Sequence, residues 1–186
     1  MDNSVYSFMK ETLTEEYIFN KKILNVGSKG FQNNIKEHIL NFKPLKLIGI
    51  DIVNCQDVDI VTSVENMLIH FTECEFDLVL CNDVLEHIFD WRTAINNIKK
   101  VCKIGGIIII TVPGIDFPRH EDPGDFWRFT AEDFKLIFKN FFIIDLFESQ
   151  NRKIQGISTN FQGTYLIVKK LSNGLIDLQN YNIRKI

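Results

Sequence analysis

Apolar residues recur along this chain in two rhythms, one near four residues and one of short β-branched runs, and the two alternate. A helical spacing spans Val5 to Tyr17. A short apolar run, Lys22 to Val26, stops at Gly27-Ser-Lys-Gly30, and Ile35, Ile39 and Leu40 then return at helical spacing. The pattern predicts strand, tight loop, helix. Leu45 to Ile50 is a second strand ending at Asp51, Val58 to Val61 a third, and Ser63 to His70 one or two helical turns. Phe76 to Cys81 is a fourth strand. Asp90 to Cys102 follows as a helix with Trp91, Ala94, Ile95, Ile98, Val101 and Cys102 on one face, stopped by Gly105-Gly106.

Gly106 to Val112 is so uniformly β-branched that both its faces must be covered, as at the centre of a parallel sheet. Pro113-Gly114 ends it. Ile115 to Arg128 turns polar and aromatic, Thr130 caps a helix over Ala131 to Lys139, and Phe141 to Phe147 and Thr164 to Lys170 are two final strands without a helix between them. Repeated β/α cycles closing on two strands joined by the polar loop Glu148 to Gly163 predict an α/β fold. Its sheet is doubly wound, mostly parallel and seven-stranded, with a C-terminal antiparallel hairpin. No repeat or linker divides the 186 residues, so one domain is expected over 1–186. Residues 1–20 form a helical lead, and 171–186 an extension that reads either as a helix or as a loose tail.

Charge narrows the partners. With 21 basic and 24 acidic side chains the formal charge is −3, which argues against a surface that grips nucleic-acid phosphates and favours a small-molecule partner. Cys55, Cys74, Cys81 and Cys102 have neither disulfide-framework nor zinc-knuckle spacing. The longest apolar run, Ile107 to Ile110, is too short to cross a bilayer, and Met1 to Ser4 begins no export signal, so a cytoplasmic protein without membrane insertion is expected. Monomer and homodimer both stay open.

Ligands of doubly wound sheets bind beyond the carboxyl ends of the strands. There Gly27 and Gly30 flank a turn whose amides can face a ligand, and Asp51 follows roughly 20 residues later, the separation at which a carboxylate accepts from both hydroxyls of a ribose. Together they suggest an adenosine-containing cofactor. A nicotinamide-dependent oxidoreductase is the competing reading, disfavoured by the lack of G-x-G-x-x-G spacing and by the terminal hairpin.

Four segments, Ile23-Leu-Asn-Val-Gly-Ser-Lys-Gly30, Leu47-Ile-Gly-Ile-Asp51, Phe76-Asp-Leu-Val-Leu-Cys-Asn-Asp-Val-Leu-Glu-His87 and Gly105-Gly-Ile-Ile-Ile-Ile-Thr-Val-Pro113, resemble in order the motifs of class I S-adenosylmethionine-dependent methyltransferases. Asn-Asp-Val-Leu-Glu-His is similar to the group that includes ubiquinone-biosynthesis C-methyltransferases. Arg119 to Thr130 resembles methyltransferases of bacterial surface-polysaccharide loci, which implies a sugar or phosphoramidate intermediate as the methyl acceptor. By resemblance, the loop of Asn25, Gly27, Ser28 and Gly30 passes under the methionyl part of S-adenosyl-L-methionine. Asp51 holds the ribose, Ile52 covers the adenine, Ser63 and Val64 meet its edge, and Asn82 approaches the methionyl group. The chain departs from the family at Asn25, usually an acid, and at Lys29, usually a glycine, which keeps open a methyltransferase-shaped binding protein without catalysis.

Methyl transfer from a sulfonium is an in-line displacement that mainly needs alignment, and a hydroxyl acceptor also needs a base. His120 is the first candidate. His87 is the second, with packing at a helix start as its competing role, and Glu86 reads as structural. Asp125, Trp127 and Arg128 are the candidate acceptor contacts, against a plain Asp125–Arg128 ion pair as the alternative. No metal is expected. The one hint of a divalent ion is His120 beside Glu121 and Asp122, and adjacent loop carboxylates more often face water.

Overall fold

A computed structural model of the chain describes residues 3–29, 33–120, 124–149, 153–154, 157–158, 163–174, 178 and 181–185. Two helices lead, α1 (Asn3–Thr12) and the short α2 (Glu15–Ile18). Then come β1 (Lys22–Val26), α3 (Asn33–Asn41), β2 (Lys46–Asp51), β3 (Ile60–Val61), a 3-10 segment Val64–Ile69, β4 (Phe76–Asn82) and a 3-10 turn Leu85–His87. The second half holds α4 (Trp91–Val101), β5 (Cys102–Pro113), β6 (Trp127–Arg128), α5 (Ala131–Ile137), β7 (Phe141–Ser149), β8 (Lys153–Ile154), β9 (Ile157–Ser158), β10 (Gly163–Lys170) and β11 (Arg184–Lys185).

Seven strands form the central sheet in the order β3-β2-β1-β4-β5-β10-β7, parallel except that β10 runs antiparallel to both of its neighbours. The alternation of side chains in β4, β5 and β10 splits the core in two. Val79, Cys81, Ile108, Ile110, Leu166 and Val168 join Trp91, Ile95, Phe134 and Phe138 on one face, while Leu78, Leu80, Ile109, Tyr165 and Ile167 join Val5, Met9, Ile35 and Ile39 on the other. Both faces are thereby covered, as the β-branched run predicts. The order reverses between β1 and β4, which opens a crevice at their carboxyl ends.

Several boundaries differ from the sequence expectation. The single helix over Val5 to Tyr17 is two helices, because the chain leaves helical geometry at Leu13-Thr14. Gly105-Gly106 is not the helix stop: α4 ends at Val101 and runs straight into β5, where Gly105 takes φ +81° at a bend close to a shift in the β4–β5 register. The expected cap at Thr130 is present as a reciprocal capping box with Asp133. From 171 onward, the described residues follow neither reading of the tail. Leu178 and Ile183 enter the core, Arg92 Nε donates to the Leu178 carbonyl at 2.8 Å and Arg92 Nη2 to that of Tyr181, and β11 pairs with β6.

Candidate active site

The crevice at the strand tips is a cleft of about 380 Å³ lined by Gly27, Lys29, Ile50, Asp51, Ile52, Val53, Thr62, Ser63, Val64, Glu65, Asp83, Val84, His87 and Ile88. Sequence reasoning nominates six of these: Gly27, Asp51, Ile52, Ser63, Val64 and His87. At its base the amides of Gly27 and Ser28 both donate to the Ile50 carbonyl, at 2.9 and 3.0 Å, which ties the loop after β1 to the end of β2. Asp51 shapes the rim. Its Oδ2 accepts from the Lys29 amide at 3.0 Å and its Oδ1 from the Val53 amide at 2.9 Å, so the carboxylate is fixed by backbone while each oxygen keeps a lone pair for a ligand. Ile52 beside it is 60% exposed, an apolar face open to the cleft.

Other nominees lie elsewhere. Asn25 shares its strand face with Ile23, so alternation along β1 turns it away from the cleft. It lines a second cavity of about 340 Å³ under α3, with Lys36, Asp57 and Asp59 among its walls. Ser28 is buried with its Oγ against Gly49, where a Cβ would stand 2.7 Å from it. Asn82 is buried behind the cleft, its Oδ1 accepting from Thr111 Oγ1 at 3.4 Å. Gly30, Glu121 and Asp122 lie outside the described residues.

The acceptor-side nominees need correction. Asp125 and Arg128 are each 1% exposed and form a bidentate pair, Arg128 Nη2 donating to Asp125 Oδ2 at 2.7 Å and Nη1 to Oδ1. They cannot touch an acceptor directly. Burial works against the Asp125 carboxylate, yet the bonds from Arg128 and from the His120 amide hold its pKa below the ordinary range. Its role is to hold His120, whose amide donates to Asp125 Oδ2 at 3.0 Å. Trp127 is half-buried, with Nε1 donating to the Ile88 carbonyl at 2.9 Å. It buttresses the cleft wall from behind.

The two candidate bases meet. His87 Nε2 and His120 Nε2 are 3.3 Å apart, with the rings edge to face at 87°. His87 Nδ1 bonds to the Gly124 carbonyl, which only accepts, so the network puts that proton on Nδ1. His120 Nδ1 lies 3.0 Å from Asp125 Oδ2, outside ideal hydrogen-bond alignment. Nδ1 makes no hydrogen bond there, and the ring contact with hydrogen-bond geometry is the one between His120 Nε2 and His87 Nε2. With the His87 proton on Nδ1, the His120 Nε2–H donates across that contact.

Below them lies Glu86, fully buried, with Oε1 3.5 Å from His87 Nε2 and with neither oxygen accepting a hydrogen bond from another described residue. Desolvation, reinforced by Asp83, pushes its pKa well up. Sequence reasoning reads Glu86 as structural and does not place it in the site. Its signal was an acid inside the apolar run Leu85-Glu-His-Ile88, where burial leaves a carboxyl group requiring a partner.

Comparison with known proteins places this chain in a class. Residues 26–154 match the family model described as "Methyltransferase domain", and the chain belongs to that family. The class is the S-adenosylmethionine-dependent methyltransferases of Rossmann-like fold, which retires the oxidoreductase reading. No curated protein is significantly similar in sequence. The chain is similar in structure to the 1,6-didemethyltoxoflavin N1-methyltransferase of Burkholderia thailandensis, solved with 1,6-didemethyltoxoflavin and S-adenosylhomocysteine (TM-score 0.65, 15% identity, 88% of this chain and 77% of that one). It is also similar to the N-methyltransferase NodS of Bradyrhizobium japonicum WM9 (TM-score 0.64, 14% identity, 92% and 98%). The [4+2]-cyclase SpnF shares the fold too (TM-score 0.65, 14% identity, 90% and 80%). No helix among the described residues is long and apolar enough to cross a membrane.

Proposed function

We propose that this protein transfers the methyl group of S-adenosyl-L-methionine to an oxygen of a small polar metabolite. The observation that carries the reading is that Gly27, Asp51, Ile52, Ser63 and Val64 line one cleft together with His87. These residues fit the donor. Asp51 offers a backbone-fixed carboxylate to a ribose diol, and the exposed Ile52 offers an apolar face to a base, with Val64 and Ile88 also on the wall. The donor brings an electrophilic methyl carbon on a cationic sulfur. What the chain supplies is alignment of the acceptor and relief of its proton.

His87 and His120 supply the second. The paired imidazoles form a basic locus beside the cleft, held from behind by the Gly124 carbonyl and the Asp125–Arg128 pair. Such a locus suits a hydroxyl acceptor. A sugar or phosphoramidate intermediate of surface-polysaccharide modification is the acceptor class we favour, on the resemblance of Arg119 to Thr130.

A second reading, a methyltransferase-shaped protein with no methyl transfer, draws on Lys29, whose position on the cleft wall brings a cation toward a cationic donor. Incubation with labelled donor and a panel of nucleotide-sugars and phosphorylated sugars tests the proposal. Transfer to a hydroxyl supports it, whereas donor binding with no transfer to any acceptor favours the second reading.

A further inference from the structure

We propose that Glu86, His87 and His120 form a binding site for one divalent transition-metal ion of the zinc class at the acceptor end of the cleft. Their ligand atoms all lie within 4.8 Å of one another. Two imidazole nitrogens bound to one tetrahedral zinc, at about 2.0–2.1 Å per bond, stand about 3.3–3.4 Å apart. The His87 and His120 Nε2 atoms are 3.3 Å apart, and Glu86 Oε1 is 3.5 Å from the former. Both distances suit ligands of a single ion.

The hydrogen bonds around the cluster point the same way. The Gly124 carbonyl behind His87 holds a proton on Nδ1 and leaves Nε2 to bind, the carbonyl-backed arrangement of metal-ligating histidines, and the Asp125 carboxylate stands 3.0 Å from Nδ1 of His120. Glu86 adds an independent sign, being 0% exposed with neither carboxylate oxygen accepting a hydrogen bond from another described residue, beside the His87 imidazole. A buried carboxylate that takes no hydrogen bond from a neighbouring residue is costly, and a metal ion resolves that cost.

Three protein ligands leave a fourth position. His87 lines the cleft and the His120 side chain is 38% exposed, so that position opens toward the acceptor, as in catalytic rather than structural zinc sites. An oxygen bound there has its pKa lowered by the ion, which refines the basic locus inferred above. The site itself does not depend on the methyl-donor reading, since all three ligands lie outside the donor side of the cleft.

Cobalt(II) titration of the chelator-stripped protein, followed by visible absorption and competed with zinc, tests the site. One equivalent of Co²⁺ with the intense bands of tetrahedral cobalt, displaced by Zn²⁺, is expected. Glu86→Gln and His120→Ala should each weaken uptake at least tenfold, in protein shown to be folded by circular dichroism. A folded wild type without stoichiometric uptake, or uptake that survives both substitutions, overturns the site. Binding of S-adenosylhomocysteine measured by calorimetry in chelator keeps the two readings apart: donor binding without metal uptake refutes the metal site alone.

Discussion

Gly27 and Val84 touch across the floor of the cleft so closely that a Cβ on Gly27 would lie 2.2 Å from Val84 Cγ2. Gly27 also holds φ +73°, a left-handed conformation that a side chain makes costly. The loop after β1 thus needs glycine for two separate reasons.

Gly27→Ala should therefore lower stability by about 2 kcal/mol or more and weaken binding of S-adenosylhomocysteine. Adding Val84→Ala removes the collision but not the backbone strain, so the double variant should recover part of the melting temperature. A Gly27→Ala protein that melts with the wild type would contradict this account of the loop.

Asp51→Ala removes a carboxylate that is fixed by two amides and faces the cleft. Affinity for S-adenosylhomocysteine should fall by about 1.5–3 kcal/mol, roughly 10- to 150-fold, with the fold retained. Calorimetry checks it, and an unchanged affinity would refute the ribose placement.

His120 sits on a polar loop with a half-exposed ring, away from the donor-side wall. For His120→Ala, turnover should fall about a hundredfold or more while S-adenosylhomocysteine affinity stays within a factor of about two. Equal losses of both would show that the loop, rather than the imidazole, was damaged.

Asp125→Asn strands the buried guanidinium of Arg128 and should cost about 3–5 kcal/mol at neutral pH. The sign of its pH dependence follows from the lowered pKa of Asp125, whose ordinary value is 3.8. An unfolded chain takes up the proton first as the pH falls, so the pair stabilises the fold fully above pH 3.8 and loses that contribution as the native carboxylate is protonated below it. Denaturant midpoints for wild type and variant should converge in acid; a constant gap down to pH 2 or so would show that charge is not the cause.

Most of the sheet was legible because its strands are β-branched runs ended by glycine, proline or aspartate, and Gly27 and Asp51 fall at strand tips where topology puts ligands. Contacts between distant segments were not legible. His87 and His120 were each nominated, but nothing local says that the turn after β4 and the loop after β5 press their rings together. The same holds for Arg92, whose bonds to the carbonyls of Leu178 and Tyr181 turn a tail of weak local pattern into a wall of the core. Asn25 failed for another reason. The family pattern names a position, whereas the two-residue alternation of β1 decides which face it serves.

The place of β10 carries a consequence for how the molecule is made. β7 leaves the ribosome before β10, yet it borders β10 alone in the central sheet, and the far edge of β5 waits for that same strand. Until Gly163–Lys170 has emerged, the Ile107–Ile110 stretch keeps an unpaired rim, a sticky surface in a nascent chain. Closure is therefore a late event, and a ribosome-stalled fragment ending before β10 should need a chaperone where the finished chain does not.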